Sequence, residues 1–233
     1  MTTLPTLNLP KHPFTIPSTG KKTTIRPFTV REEKLLLVAK EARDPEQIMT
    51  ATKDVLAGCI ADVDVEKLAM FDLEFALLRI RAVSVSNLVE LRIVDPESKE
   101  QVELELDINT IEMVTHPDHD KMISLDDDIT IVMRYPTLTE FQMMTENPDN
   151  PIVGFDVMVA CIDQIVQGDQ VFKTEDFSDE ELLTFIDGFS KEHIKKVKGF
   201  FETSPTMAFE LPYRLKDGTE KTFSVKGSEV LFM

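Results

Sequence analysis

Two histidines and two carboxylates come together in His116-Pro117-Asp118-His119-Asp120. Histidines at i and i+3 with carboxylate neighbours are raw material for a metal site. Zinc takes three or four ligands, however, and no cysteine pair or distant histidine completes the set, while Pro117 marks a turn. Asp126-Asp127-Asp128 lacks the Asp-x-Asp-x-Asp-Gly spacing of a calcium loop and reads as an exposed turn before a strand. Ser18-Thr19-Gly20-Lys21-Lys22-Thr23 carries the Gly-Lys of a phosphate loop. The glycine such a loop needs five residues ahead is Thr15 here, and prolines surround the segment. Cys59 and Cys161 have no histidine or basic neighbour in sequence, and no Gly-x-Ser-x-Gly elbow occurs. Both sit in apolar, helix-like stretches and read as buried free thiols. The sequence therefore assigns no catalytic, cofactor-binding or metal-ligating residue, and no cofactor.

These negative readings shift attention to the surface. The 233 residues carry a net charge of −17, with 42% hydrophobic and 29% charged residues, which suits a folded core in one large domain or two small ones. No apolar run approaches the roughly 18 residues of a membrane span. Met1 to Pro10 lacks a basic stretch followed by an apolar one, so no secretory signal is expected. Charge is segregated along the chain. Residues 1–43 hold eight basic and three acidic side chains, a net of +5, whereas residues 95–187 hold 24 acidic and four basic ones, a net of −20. A middle so acidic repels nucleic acid and anionic lipid, so neither is expected as a partner.

The elements follow from periodicity and punctuation. Pro5, Pro10, Pro13, Pro17 and Pro27 make residues 1–27 an extended arm. Its apolar residues Leu4, Leu7, Leu9 and Phe14 are the candidate partner-binding residues, because an exposed apolar arm is explained by docking along a groove or sheet edge. The alternative is that the arm packs on its own domain. Residues 28–203 read as one α+β domain. It begins with helices (28–85): Thr29 to Glu32 is a capping box, Asp44-Pro45 starts a second helix, and Asp64 caps a long third one. A β section (86–135) follows. Val89, Leu91 and Ile93 alternate with charged residues, then Val102, Leu104 and Leu106 do the same across the turn at Asp95-Pro96, which predicts a hairpin. Helices return over 136–203, including one opened by Pro151 and running through Cys161 and Ile165 to Gly168, and one after the Ser178 to Glu181 capping box. Residues 204–233 read as a hairpin tail with an Asp217-Gly218 turn. The order is helical, β, helical, β, with antiparallel hairpins and no internal repeat. This is α+β.

One ordered set of short motifs is more specific. Pro17-Ser-Thr-Gly-Lys21 precedes Ile25-Arg-Pro-Phe28 and Val30-Arg-Glu-Glu-Lys-Leu-Leu-Leu37. Ala57-Gly-Cys59 and Leu68-Ala-Met-Phe-Asp-Leu-Glu-Phe75 follow. Met133-Arg-Tyr-Pro136, Ile162-Asp163, Phe200-Phe-Glu-Thr203 and Pro205 complete the set. Together, from about Pro17 to Pro205, these resemble the baseplate hub family of T4-like contractile-tailed bacteriophages, which comprises hub subunits and hub-assembly proteins. Relatives often end with Cys-x-x-Cys in the final hairpin; here that turn is Leu215-Lys-Asp-Gly218. The resemblance implies a non-enzymatic hub subunit or chaperone-like assembly factor whose partners are other hub or spike proteins. It also implies a place in the host cytoplasm during assembly or in the virion baseplate. Self-association into a homo-oligomer stays open. The alternative of another class is a metal-dependent tail-tip hydrolase, whose support is His116 and His119.

Overall fold

The computed structural model describes residues 7–42, 44–147 and 150–227. In chain order its elements are β1 (His12–Thr15), β2 (Lys22–Ile25), α1 (Val30–Ala42), α2 (Pro45–Cys59), α3 (Met70–Ser84), β3 (Leu88–Val94), β4 (Gln101–Asp107), β5 (Glu112–Val114), β6 (Met122–Ser124) and β7 (Ile129–Met133). They continue with α4 (Leu138–Glu146), α5 (Pro151–Ala160), β8 (Ile162–Gln167), β9 (Gln170–Lys173), α6 (Asp179–Asp187), α7 (Lys191–Glu202), β10 (Thr206–Arg214) and β11 (Glu220–Lys226). Helices and antiparallel sheets in this order make the fold α+β, as the hydrophobic patterning implies.

The chain divides into two compact units, and the division is not consecutive. The first unit takes residues 1–65, 71–114 and 206–233; the second takes 66–70 and 115–205. The C-terminal hairpin is therefore no separate tail. Strand β10 pairs with β5 through Met207 and Met113, and β10 pairs along its length with β11. Met207, Phe209 and Val225 share a core with Leu78 of α3, with Leu91 and Leu106 of the β3–β4 hairpin, and with Ile108 and Ile111. In that hairpin Leu91 faces Leu104 and Val89 faces Leu106, while Arg92 faces Glu103 on the solvent side. Alternation selects the face that is buried.

The second unit is built on a four-stranded sheet in the order β6-β7-β8-β9. Ile131 and Met133 of β7, Val153 and Val157 of α5, Leu182 and Ile186 of α6, and Val197 and Phe200 of α7 form its core. Reciprocal caps start the helices. Ser178 and Glu181 cap α6, Ser190 and His193 cap α7, and Asn150 accepts from the Ile152 N–H at 3.0 Å at the start of α5.

Three expectations from the sequence are corrected. The helix opened by Pro151 stops at Ala160, and Ile162 to Gln167 is a strand in the sheet rather than a continuation to Gly168. Ile162, Ile165 and Val166 are β-branched, and Gly168 adopts φ +54° in the turn to β9, where a side chain would be strained. The third helix does not begin at Asp64: a short 3-10 turn, Val65–Lys67, comes first. Within the Pro-rich arm, residues 12–25 form the β1–β2 hairpin with Phe14, Ile16 and Ile25 buried. Pro13 is tolerated there because β1 is an edge strand, and Pro10 and Pro17 lie outside the paired segment.

Candidate functional site

Two ion-pair clasps, one in each unit, share one design. After β2, the Arg26 guanidinium forks onto Glu32, with Nη1 to Oε2 at 2.9 Å and Nη2 to Oε1 at 2.7 Å. Glu32 also accepts from the Thr29 N–H at 2.6 Å and from the Thr29 hydroxyl at 2.9 Å, so the capping box of α1 is locked by an arginine. After β7, Arg134 Nη2 donates to Glu140 Oε1 at 2.6 Å, and Glu140 accepts from the Thr137 N–H at 2.7 Å and its hydroxyl at 2.6 Å. Hydrogen bonds to Arg26 and Thr29 hold the Glu32 carboxyl down at about 2. Burial opposes ionisation of Glu140, yet its bonds to Arg134 and Thr137 hold it at about 2 as well.

The surroundings of the clasps also correspond. The Arg26 N–H donates to the Cys59 carbonyl at 3.0 Å, and the Arg134 N–H to the Cys161 carbonyl at 2.8 Å. Ile25 bridges Ile60, and Met133 pairs with Ile162. Phe14 opposite Thr23 matches Ile123 opposite Ile131 in the preceding hairpins, and each of Phe14 and Ile123 is buried. Val55 of α2 and Val157 of α5 occupy matching core positions. Both units thus contain a hairpin, an Arg-x-x-Thr-x-x-Glu clasp, two helices and a Cys-Ile that returns to the hairpin strand. The sequence contains a repeat after all. Its signal is three residues recurring 108 positions later, Arg26/Arg134, Thr29/Thr137 and Glu32/Glu140, with Cys59-Ile60 answered by Cys161-Ile162. Helices of unequal length between the marks hide it.

Beside each clasp lies a cleft at an equivalent place. In the first unit it measures about 180 Å³ and is lined by Lys11, Thr24, Arg26, Gly58, Cys59, Ile60 and Ala61. In the second it measures about 740 Å³ and is lined by the counterparts Arg134, Ala160, Ile162 and Asp163. Apolar lining comes from Met143, Val159 and Leu182, and acidic lining from Asp156, Glu175 and Asp179.

Of the predicted partner-binding residues, Leu4 lies outside the described residues. Leu7 is 87% exposed, Leu9 is half-buried, and both precede β1. Phe14 is not available to a partner: it is buried, with its ring 6.0 Å from that of Phe75. Apolar side chains are exposed elsewhere instead. Val30, Leu37 and Val38 of α1 are 55–66% exposed, and Phe141, Met144, Ile152 and Phe155 are exposed on α4 and α5. The length and caps of α1 do not announce this exposed aliphatic stripe.

The residues weighed for chemistry have structural partners. His119 Nδ1 lies 2.9 Å from the Thr203 hydroxyl and Nε2 lies 2.9 Å from the Tyr135 hydroxyl, with its ring stacked on Tyr135 and Phe200. His116 accepts from the Asp118 N–H at 3.2 Å through Nδ1. Asp126 makes an Asx turn, accepting from the N–H groups of Asp128 and Ile129 at 2.9 and 2.7 Å, which holds its carboxyl below the usual range. Ser18 donates through its N–H to the buried Asp72 at 2.8 Å, which ties the β1–β2 turn to α3. Burial pushes the Cys59 thiol up to about 11 and the Cys161 thiol up to about 12, so neither is a thiolate nucleophile near neutral pH. Among the described residues no group of three or more His, Cys, Asp or Glu is placed to hold a metal ion, and no helix is long and apolar enough to cross a membrane.

In sequence Asp95 is a turn residue; in the structure it is more. Its carboxylate is fully buried and accepts from the Glu97 and Ser98 N–H groups, the Tyr213 hydroxyl at 2.6 Å and the Lys221 ammonium at 2.9 Å. The Tyr213 hydroxyl leads the groups that hold Asp95 ionised, with the Ser98 N–H and Lys221 next. The bond from residue 95 to residues 213 and 221 joins two hairpins, and no local pattern announces it.

The constellations on this chain position backbone, bind carboxylates internally and present apolar and acidic surface. Comparison with curated proteins and with solved structures gives no significant match. A family model described as T4 bacteriophage base plate protein matches residues 9–233, nearly the whole sequence, and the protein therefore belongs to the T4 bacteriophage base plate protein family.

Proposed function

We propose that this chain is a hub-level component or chaperone-like assembly factor of the phage baseplate, working by binding hub or spike subunits in the host cytoplasm and doing no bond chemistry. The observation that carries this reading is the family match over residues 9–233. The exposed aliphatic stripe of α1, the exposed Leu7 and the charge segregation support a binding role. Opposite charges on partner faces speed encounter and make it salt-sensitive. A metal-dependent hydrolase built on His116 and His119 gains no support, because both ring nitrogens of His119 already have hydroxyl neighbours.

The test is co-purification with co-expressed hub proteins at low and high salt, with and without residues 1–10. That truncation stops short of β1 and leaves the buried Phe14 and Ile16 in place. Binding should weaken with salt and weaken again on truncation. Failure to bind any hub or spike subunit would overturn the reading. Mass spectrometry of purified virions then separates a resident subunit, which is found in the particle, from a factor that leaves.

A further inference from the structure

We propose that the acid-rimmed cleft beside Arg134 is a docking site for an extended, lysine-bearing segment of a partner protein. Two observations point there independently. The first is its counterpart. Four lining positions correspond, Arg26 with Arg134, Gly58 with Ala160, Ile60 with Ile162, and Ala61 with Asp163. In the first unit that place is lined by Lys11, which immediately precedes β1. In the second unit the equivalent position before β6 is Asp120, and the cleft is roughly four times larger by volume, about 740 against about 180 Å³. The first unit lines this place with a lysine of its own, whereas among the described residues no lysine lines the larger cleft of the second.

The second observation is the chemistry of the walls. Asp156, Asp163, Glu175 and Asp179 line the cleft, and the one basic side chain among the described residues that line it, Arg134, is committed to Glu140 at 2.6 Å. Glu175 also reaches Lys173 at 3.3 Å in an exposed pair, which leaves the aspartates as the main surplus of negative charge. Val159, Ile162 and Leu182 supply apolar wall between them. An ammonium group with flanking aliphatic side chains satisfies both features, and a neutral or acidic segment satisfies only one. The Thr174 hydroxyl donates to the carbonyls of Ile162 and Asp163 at 2.8 and 3.0 Å, which pins the mouth of the cleft to β8.

The proposal deepens the assembly reading and rests on it only for which protein supplies the segment. The probe is a fluorescently labelled synthetic peptide with the sequence of residues 7–15, the lysine-bearing segment of the first unit. Its binding to the full chain is read by anisotropy at low salt. Asp163→Lys with Asp179→Lys, both at exposed positions, should weaken binding by about tenfold or more, and a peptide carrying Glu in place of its lysine should weaken it similarly. Asp163→Asn alone should weaken it by about threefold, and it keeps the measurement valid should the double variant misfold by circular dichroism. Absence of binding at about 1 mM peptide overturns the proposal. So does binding that the cleft variants leave unchanged, since it would report the first unit or nonspecific attraction. Hub co-purification can succeed or fail independently, so the two readings fall separately.

Discussion

Gly58 and Ala160 hold the same place beside the two clasps, and the difference between them is informative. A Cβ on Gly58 would come within 2.7 Å of Glu32 Oε1, so in the first unit the carboxylate is packed against the last turn of α2. In the second unit a methyl group stands there, and the space beyond widens into the acidic cleft. The ion pairs differ partner by partner: the carboxylate is the more buried, and the arginine the more exposed, in the second unit. Glu32 keeps 15% of its side-chain surface and Glu140 only 6%, whereas Arg134 is wetter than Arg26, at 37% against 27%. One local solution, an arginine locking a capping box, has been used to close a site in one unit and to border an open one in the other.

The correspondence can be broken most forcefully in the cores. Val55→Asp and Val157→Asp each place an uncompensated charge at a matching buried position, and each should cost about 3–5 kcal/mol in chemical denaturation. A mild effect at only one of them would end the claim that α2 and α5 are equivalent. The clasps come next. Glu32→Gln and Glu140→Gln should each cost about 1–3 kcal/mol at pH 7, the range allowing for partial contact with water. Both carboxyls titrate at about 2 in the folded chain against an ordinary 4.5, so their stabilisation is complete above about pH 4.5 and is lost as pH falls toward 2. The penalty of either variant should fade over that window, which urea melts at stepped pH would follow.

Glu74 gives an effect of opposite sign, confined to the first unit. Burial alone raises its carboxyl to about 7 from 4.5. Below pH 4.5 it is protonated whether folded or not; as pH rises the unfolded chain ionises first, so the fold is penalised, fully so above about pH 7. Glu74→Gln should therefore stabilise by about 1–2 kcal/mol at pH 8 and have no such benefit at pH 4. The smallest expected effects fall at Gly58 and Ala160. Gly58→Ala should destabilise by about 1 kcal/mol, because the gain in helix propensity is outweighed by displacing the Glu32 carboxylate from Arg26 and Thr29. Ala160→Gly should cost about 0.5–1 kcal/mol from propensity alone. Thermal melts of the pair, with Glu32→Gln in the background, would show whether only Gly58→Ala depends on the clasp.

Local chemistry made much of this fold readable. The capping residues Thr29, Asp44, Ser178 and Ser190 and the alternation of Val89 to Ile93 carry their own structural instructions. So do the turns at Asp95 and Asp217. The stretch from Pro151 to Gly168 failed because a short apolar run has no decisive period, and pairing with β7 and β9 settles it as helix followed by strand. Phe14 reads as surface when a proline-rich segment is taken as unable to pack, although two short strands flanked by prolines need few N–H donors. The acidic cleft was not legible at all. Arg134, Asp163 and Asp179 are distant in sequence, and only the repeat partners of Arg134 and Asp163, Arg26 and Ala61, hint that those two belong together.

The discontinuity of the first unit bears on how the protein is made. Leu91, Leu106 and Ile111 emerge from the ribosome well before Met207, Phe209 and Val225, which share their core, and before Tyr213 and Lys221, which meet Asp95. At about 5–20 residues per second the chain spends several seconds with that apolar hairpin lacking its cover, while all of residues 115–205 follow and can consolidate their own sheet. Synthesis order and folding order are thus partly reversed: the unit begun first is completed last. A nascent chain arrested before residue 206 would hold a formed second unit and an unfinished first one, and stop codons late in the gene would produce aggregation rather than a merely shortened protein.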